Sequence, residues 1–191
     1  MPPKPRITRE MILDAAYAIA RERGAEQINA RTIAGRLGSS TQPVLYHFDH
    51  IEDIRREVYH MADEYQTTYL MQMPQDQNPM IALGLNYIRF AAKEKPLFRF
   101  LCQSDSFQEK SITALTETPQ LLPMLQVFQK ETNLTPVQVK MVFRTLIMLV
   151  HGCASLLANN TMEYDEDEIV PMLQMAFTGM VGAMKMEESQ E

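Results

Sequence analysis

Between Thr8 and Phe48 three apolar patterns of helical period are crowded together, each opened by a capping residue or closed by a glycine, with connections too short to be more than corners. Thr8 is placed to cap "REMILDAAYAIARER", in which Ile12, Ala15, Ala16, Ile19 and Ala20 recur on one face until Gly24 ends the run. Asn29 opens a second pattern, Ile33, Ala34 and Leu37, closed by Gly38. Ser40 is placed to cap a third helix, Thr41 to about Phe48, where Pro43 is tolerated because the first-turn amides have no intrahelical partner. At about 100° per residue Val44, Leu45 and Phe48 group inward. Gln42, Pro43 and Tyr46 then point away, with Thr41 and His47 at the margins.

Further along the chain the helical reading continues. A longer helix begins near Ile51, with Ile54, Val58, Met61, Tyr65 and Tyr69 as its stripe, and stops before Pro74. Helices follow in Met80 to Lys93, after Pro96, around Gln120 to Lys130, and from Thr135-Pro136 to about Asn160. Ser104 to Thr118 is only loosely patterned, and "EYDEDE" (Glu163 to Glu168) supplies carboxylates at the start of a last helix. No period-two pattern or internal repeat stands out, so the expected fold is all-α. Residues 1–50 are expected to form a helix-turn-helix domain and 51–191 a larger helical body for effector binding and dimerisation.

Charge divides along the same line. The net −6 hides seven Lys/Arg (4, 6, 9, 21, 23, 31, 36) against four Asp/Glu (10, 14, 22, 26) in residues 1–47, a basic end on an acidic body. That distribution suits a chain whose amino end alone meets a polyanion. The first residues lack an apolar run of signal-peptide length, and Cys102 and Cys153 are lone thiols, so a reducing, cytoplasmic setting is expected. Two uncharged segments, Thr145 to Asn160 and Ile169 to Met184, raise the question of a membrane hairpin. Both are shorter than the roughly 20 residues a span requires, and burial between protein helices is expected instead. Fifteen Met suit either an adaptable cavity or simply a Met-rich core.

Catalysis would require a nucleophile with its base, buried paired carboxylates, a phosphate loop or a ligand cluster, and none is written here. No enzyme activity, metal or cofactor is expected. Two binding functions stay open on the residues alone: a DNA-binding module, or a helical adaptor that binds only proteins.

The segments "ILDAAYAIARERG", "INARTIAGRLGSST" and "VLYHFDHIEDI" together resemble the DNA-binding domain of the TetR/AcrR family of transcriptional repressors, over Thr8 to about Val58. Where that family commonly carries Tyr two residues before its His-Phe pair, a phosphate contact, this chain has Leu45, and its tyrosine is Tyr46. "FRTLIMLVHGCASLLANN" is similar to the Trp-His-Gly subgroup, matching at His151-Gly152 with Val150 in place of the Trp.

The resemblance implies a dimeric, ligand-responsive repressor that binds a palindromic operator and leaves it when a hydrophobic or aromatic effector occupies the body. Gln42 has the amide to pair bidentately with adenine, and Thr41 the hydroxyl or methyl to meet a base edge beside Pro43. Arg31, Thr32, Ser40, Tyr46 and His47 are the expected phosphate contacts. Lys4 and Arg6 are either a DNA-tracking arm or incidental charge on a tail. Met61, Tyr65, Tyr87, Phe90, Phe98, Phe100, Met124, Phe128 and Met148 are the expected effector pocket, each with plain core as its alternative. His151, Gly152, Ala154, Leu157, Met172, Ala176, Gly179, Met180 and Ala183 are the expected dimer contacts, a buried intrachain pair being the alternative.

Overall fold

The Thr8 hydroxyl oxygen accepts a hydrogen bond from the Met11 amide at 3.3 Å and starts helix α1, Arg9–Arg23. Its buried stripe is the one the spacing predicts: Ile12, Ala15, Ala16, Ile19 and Ala20. The computed structural model describes residues 7–72, 74, 78–103, 116–117 and 119–188. Beyond α1 it contains α2 (Ala30–Leu37), α3 (Gln42–His47), α4 (Ile51–Leu70), α5 (Pro79–Lys93), α6 (Lys95–Cys102), α7 (Leu122–Thr132), α8 (Pro136–Asn159) and α9 (Glu166–Glu188). All regular structure among the described residues is helical, and the fold is all-α. Lys4 and Arg6 lie outside the described residues, as does most of the stretch from Ser104 to Thr118.

The described residues up to Thr68, with those from Glu94 to Gln103, form one compact unit; Tyr69 to Lys93 and the described residues from Thr116 onward form another. The first unit therefore reaches past residue 50 and takes in most of α4 and the whole of α6. Three arginines of α1 and α2 tie it together. Arg36 forks onto Glu22 with two bonds of 2.8 Å, Arg9 meets Glu57 at 2.8 Å, and Arg21 grips the buried carboxylate of Glu94. Leu97, Phe98, Phe100 and Leu101 give α6 a wholly buried side. On α4 the buried stripe is Ile54, Val58, Ala62 and Gln66, a strict i, i+4 row. The expected Met61, Tyr65 and Tyr69 sit beside that row, half-buried. Hydropathy favours the larger side chains, whereas packing against neighbouring helices selects the small Ala62 and lets Gln66 lie near Cys102 Sγ at 3.9 Å.

The second unit is built around α5, buried on nearly every side from Met80 to Ala91. Asn78 caps it, its Oδ1 accepting from the amides of Met80 at 3.0 Å and Ile81 at 3.4 Å. Its most extensive partner is α8, and the approach is close at Gly84, where an added Cβ would stand 3.1 Å from Val150 Cγ2. Gly84→Val should therefore cost about 1–3 kcal/mol through overpacking, read from denaturant midpoints. Parent-like stability would mean α5 and α8 can part at no cost. Thr135 opens α8 with a reciprocal capping box to Gln138, as the Thr-Pro signal predicts.

Within this unit the Tyr87 hydroxyl and His151 Nδ1 are 2.9 Å apart, and burial holds the imidazole below its ordinary value of 6.5. An unfolded chain takes that proton near pH 6.5, the folded chain only at lower pH, so between the two the unfolded state binds more protons. Stability is in place above 6.5 and should decline as pH falls below it; melting curves on either side, with His151→Gln flattening the decline, check this.

Helices α8 and α9, 24 and 23 residues long, outrun the uncharged segments inside them, and each holds a stretch long and apolar enough by length and composition to cross a membrane. Of those stretches 39% is buried in α8 and only 6% in α9. The acidic turn stabilises the start of α9: Arg89 pairs with Glu166 at 2.5 Å, and Tyr164 donates to the same carboxylate at 3.0 Å. Hydrogen bonding to Arg89 and then to Tyr164 holds Glu166 below the usual carboxylate range.

Candidate nucleic-acid interface

Helix α2 begins with both halves of a capping box. Asn29 Oδ1 accepts from the amides of Arg31 (3.1 Å) and Thr32 (3.0 Å), while Thr32 Oγ1 accepts from the Asn29 amide at 3.1 Å. It ends at Gly38 with φ +62, left-handed backbone that a residue with a Cβ adopts only under strain. The Ser39 amide then donates back to the Ala34 carbonyl at 2.9 Å, fixing the corner. Ile33 and Ala34 are buried, which sets how α2 seats and where the corner releases the chain into α3.

Helix α3 buries Val44, Phe48 is buried just past its end, and the other side of the helix is bare. Two expectations change here. Leu45 is not inward: it is 60% exposed, next to Tyr46 at 76%. Over six residues hydropathy cannot fix a helix's rotation, and the inward places are filled by Val44 and Phe48. The cap is also not Ser40. Thr41 occupies that position with helical angles, φ −72 and ψ −15, and makes no side-chain cap bond. A capping side chain needs an extended backbone to swing back to the first amides. Ser40 is exposed and does not cap α3.

Arg31 is exposed and makes no ion pair among the described residues. Arg9, Arg21 and Arg36 are neutralised by Glu57, Glu94 and Glu22, so much of the basic excess seen in the sequence serves the fold. Thr32 is half-buried and its hydroxyl gives its proton to the carbonyl of Gln27 (2.6 Å) or Asn29 (2.9 Å), which leaves no donor for a phosphate. His47 is half-buried too. Its Nε2–H donates to the Ile7 carbonyl at 3.1 Å, so Nδ1 is the ring atom still open, and the Tyr46 ring stands edge-on to it at 5.2 Å.

Gln42, Leu45 and Tyr46, at i, i+3 and i+4, therefore share one uncovered side of α3, with Thr41 and Pro43 half-buried at its start and Ser40 and Arg31 exposed on the preceding turn and α2. Such a side offers an amide, a phenol and an isobutyl group to one partner. Leu45 is the member the sequence reading missed, and the only available signal was the brevity of α3 between Gly38 and the start of α4 at Ile51.

The residues expected to line an effector pocket belong to both compact units. Met61, Tyr65, Phe98 and Phe100 are in the first; Tyr87, Phe90, Met124, Phe128 and Met148 are in the second. Phe90, Phe98, Phe100, Met124 and Phe128 are buried, Met61, Tyr65 and Tyr87 half-buried, and Met148 exposed. Tyr65 and Tyr87 already bond within their own units, to Glu94 and His151. Of the expected dimer contacts, Ala154 and Leu157 are covered by their own unit and have no surface left for a second copy. Gly152, Met172, Gly179 and Ala183 are exposed, and His151, Ala176 and Met180 half-buried. The bare stripe of α8 runs instead through Met141, Met148, Gly152 and Leu156, and that of α9 through Met172, Met175, Gly179, Ala183 and Met186. Compared with models of known protein families and with curated proteins, the chain matches none.

Proposed function

We propose that the protein is a DNA-binding transcriptional regulator, a ligand-responsive repressor of the TetR/AcrR type working in the cytoplasm. The observation that carries the reading is the uncovered side of α3, where Gln42 and Tyr46 stand exposed at the end of a rigidly capped helix and turn while Val44 and Phe48 hold the other side in the core. A short helix mounted this way fits the width of the major groove, and a glutamine on it can take both hydrogen bonds that adenine offers there.

Two copies are required for a palindromic operator, and the bare stripe of α9 supports association: a helix whose most apolar stretch is 6% buried needs cover, here supplied by the same surface of a second subunit. That cover takes the place of lipid. In the dimer two α3 helices would stand roughly 35 Å apart, one turn of duplex. A small hydrophobic or aromatic effector bound by the body would change that spacing through α4, by which the chain leaves the first unit, if it binds the two spacings unequally.

Selection from random duplexes tests the reading, with recovery of a two-fold symmetric site as the expected result. Gln42→Ala should then lose about 1–3 kcal/mol of discrimination at one base pair of each half-site. An unchanged ranking of sites would remove Gln42 from base reading, and failure to retain any duplex at low salt would leave an adaptor that binds only proteins.

A further inference from the structure

We propose that Leu45 reads thymine, packing its isobutyl group against the 5-methyl of a thymine one or two base steps from the adenine paired with Gln42. The inference rests on α3 being the DNA-reading helix. Leu45 is 60% exposed although the same helix has an inward side, which Val44 fills, with Phe48 buried just past the helix end. A leucine has no polar atom with which to meet a phosphate or a base edge. The thymine methyl is the one apolar group on the major-groove edge, so it is the partner such a side chain can recognise. Against cytosine N4 or guanine O6 the same contact would strip water from a polar group and give nothing back, so the preference is enforced from both directions.

Position on the helix sets the spacing. Leu45 follows Gln42 by three residues, which places both on one side and separates them by about 4.5 Å along the axis, against a base step of about 3.4 Å. The next residue takes a different task. Tyr46 is 76% exposed, its ring stands edge-on to His47, and His47 is fastened to the Ile7 carbonyl at 3.1 Å. A phenol carried beside a fixed imidazole is suited to a backbone oxygen, leaving base contact to Leu45 and Gln42.

The test uses the full-length protein and the duplex recovered by selection. Each thymine of the half-site is replaced in turn by deoxyuridine, which removes only the methyl group. Wild type should bind one of these duplexes about fourfold more weakly, the effect of one apolar carbon leaving a contact. Leu45→Ala should bind the thymine and deoxyuridine forms alike while still preferring the adenine read by Gln42, and Leu45→Met, which keeps an apolar tip, should retain the difference. Melting of both variants should match wild type, since the side chain is outside the core. A wild type indifferent to deoxyuridine at every thymine, or the same ratio in Leu45→Ala, overturns the thymine assignment and leaves DNA binding standing. Recovery of no duplex overturns both.

Discussion

Arg21→Ala should lose about 2–3 kcal/mol of folding stability, the largest effect expected from a single charged side chain in this protein. Glu94 is buried, its side chain 5% exposed, and it sits just ahead of α6. Arg21 of α1 holds both carboxylate oxygens, Nε at 2.9 Å from Oε2 and Nη2 at 2.5 Å from Oε1, while the Tyr65 hydroxyl of α4 donates to Oε1 at 3.0 Å. The bond to Glu94 pushes the guanidinium above its already high value, and the group also lies 5.1 Å from the centre of the Tyr65 ring. Removing the arginine strands a charge with one neutral donor. Breaking a fully buried pair costs about 3–5 kcal/mol, but the Arg21 side chain is 43% exposed and water can reach the gap, which lowers the expectation. Arg21→Lys should recover part of the loss, keeping charge without the two-pronged grip. Denaturant unfolding is the measurement, and a loss below about 0.5 kcal/mol would class the pair with ordinary surface ion pairs.

If the protein binds DNA as the proposed dimer and neutralises about six phosphates, its affinity should fall by about a thousandfold or more between 50 and 200 mM salt. Arg31 and Arg36, five residues apart, divide this effect cleanly. Arg31 has no ion pair among the described residues, so Arg31→Ala should reduce the logarithmic salt slope by about one per subunit and weaken all sequences alike. Arg36 is engaged by Glu22, and its alanine variant should move stability slightly and the slope hardly at all. A binding curve flat in salt, or equal slopes for both variants, would remove Arg31 from phosphate contact.

The parts of this fold legible from sequence are those decided within a few residues. Thr8, Asn29 and Thr135 cap where local chemistry puts them, and Gly38 takes the left-handed turn its position calls for. Asn78 performs the same task for α5, a start that the break at Pro74 obscures in the sequence. What fails is anything settled by rotation or by distant partners. Leu45 looks inward by hydropathy and is bare because Val44 and Phe48 fill the inward side. Ala62 and Gln66 carry no hydrophobic signal and are buried by packing. The membership of α6 in the first unit goes with long-range contacts such as Arg21 to Glu94, across 73 positions of chain, which no window along the sequence detects. In α8 and α9 apolar residues lie all round, so periodicity could not tell Ala154 and Leu157, which are covered, from Met148 and Leu156, which are not.

The row of bare methionines on α9 carries a chemical liability as well. Met172, Met175 and Met186 are exposed in a single copy of the chain, and peroxide reaching them there converts their thioethers to sulfoxides. Each added oxygen turns a soft apolar side chain polar and chiral, so an aged preparation would present a wetter helix than a fresh one, with the same sequence and different self-association.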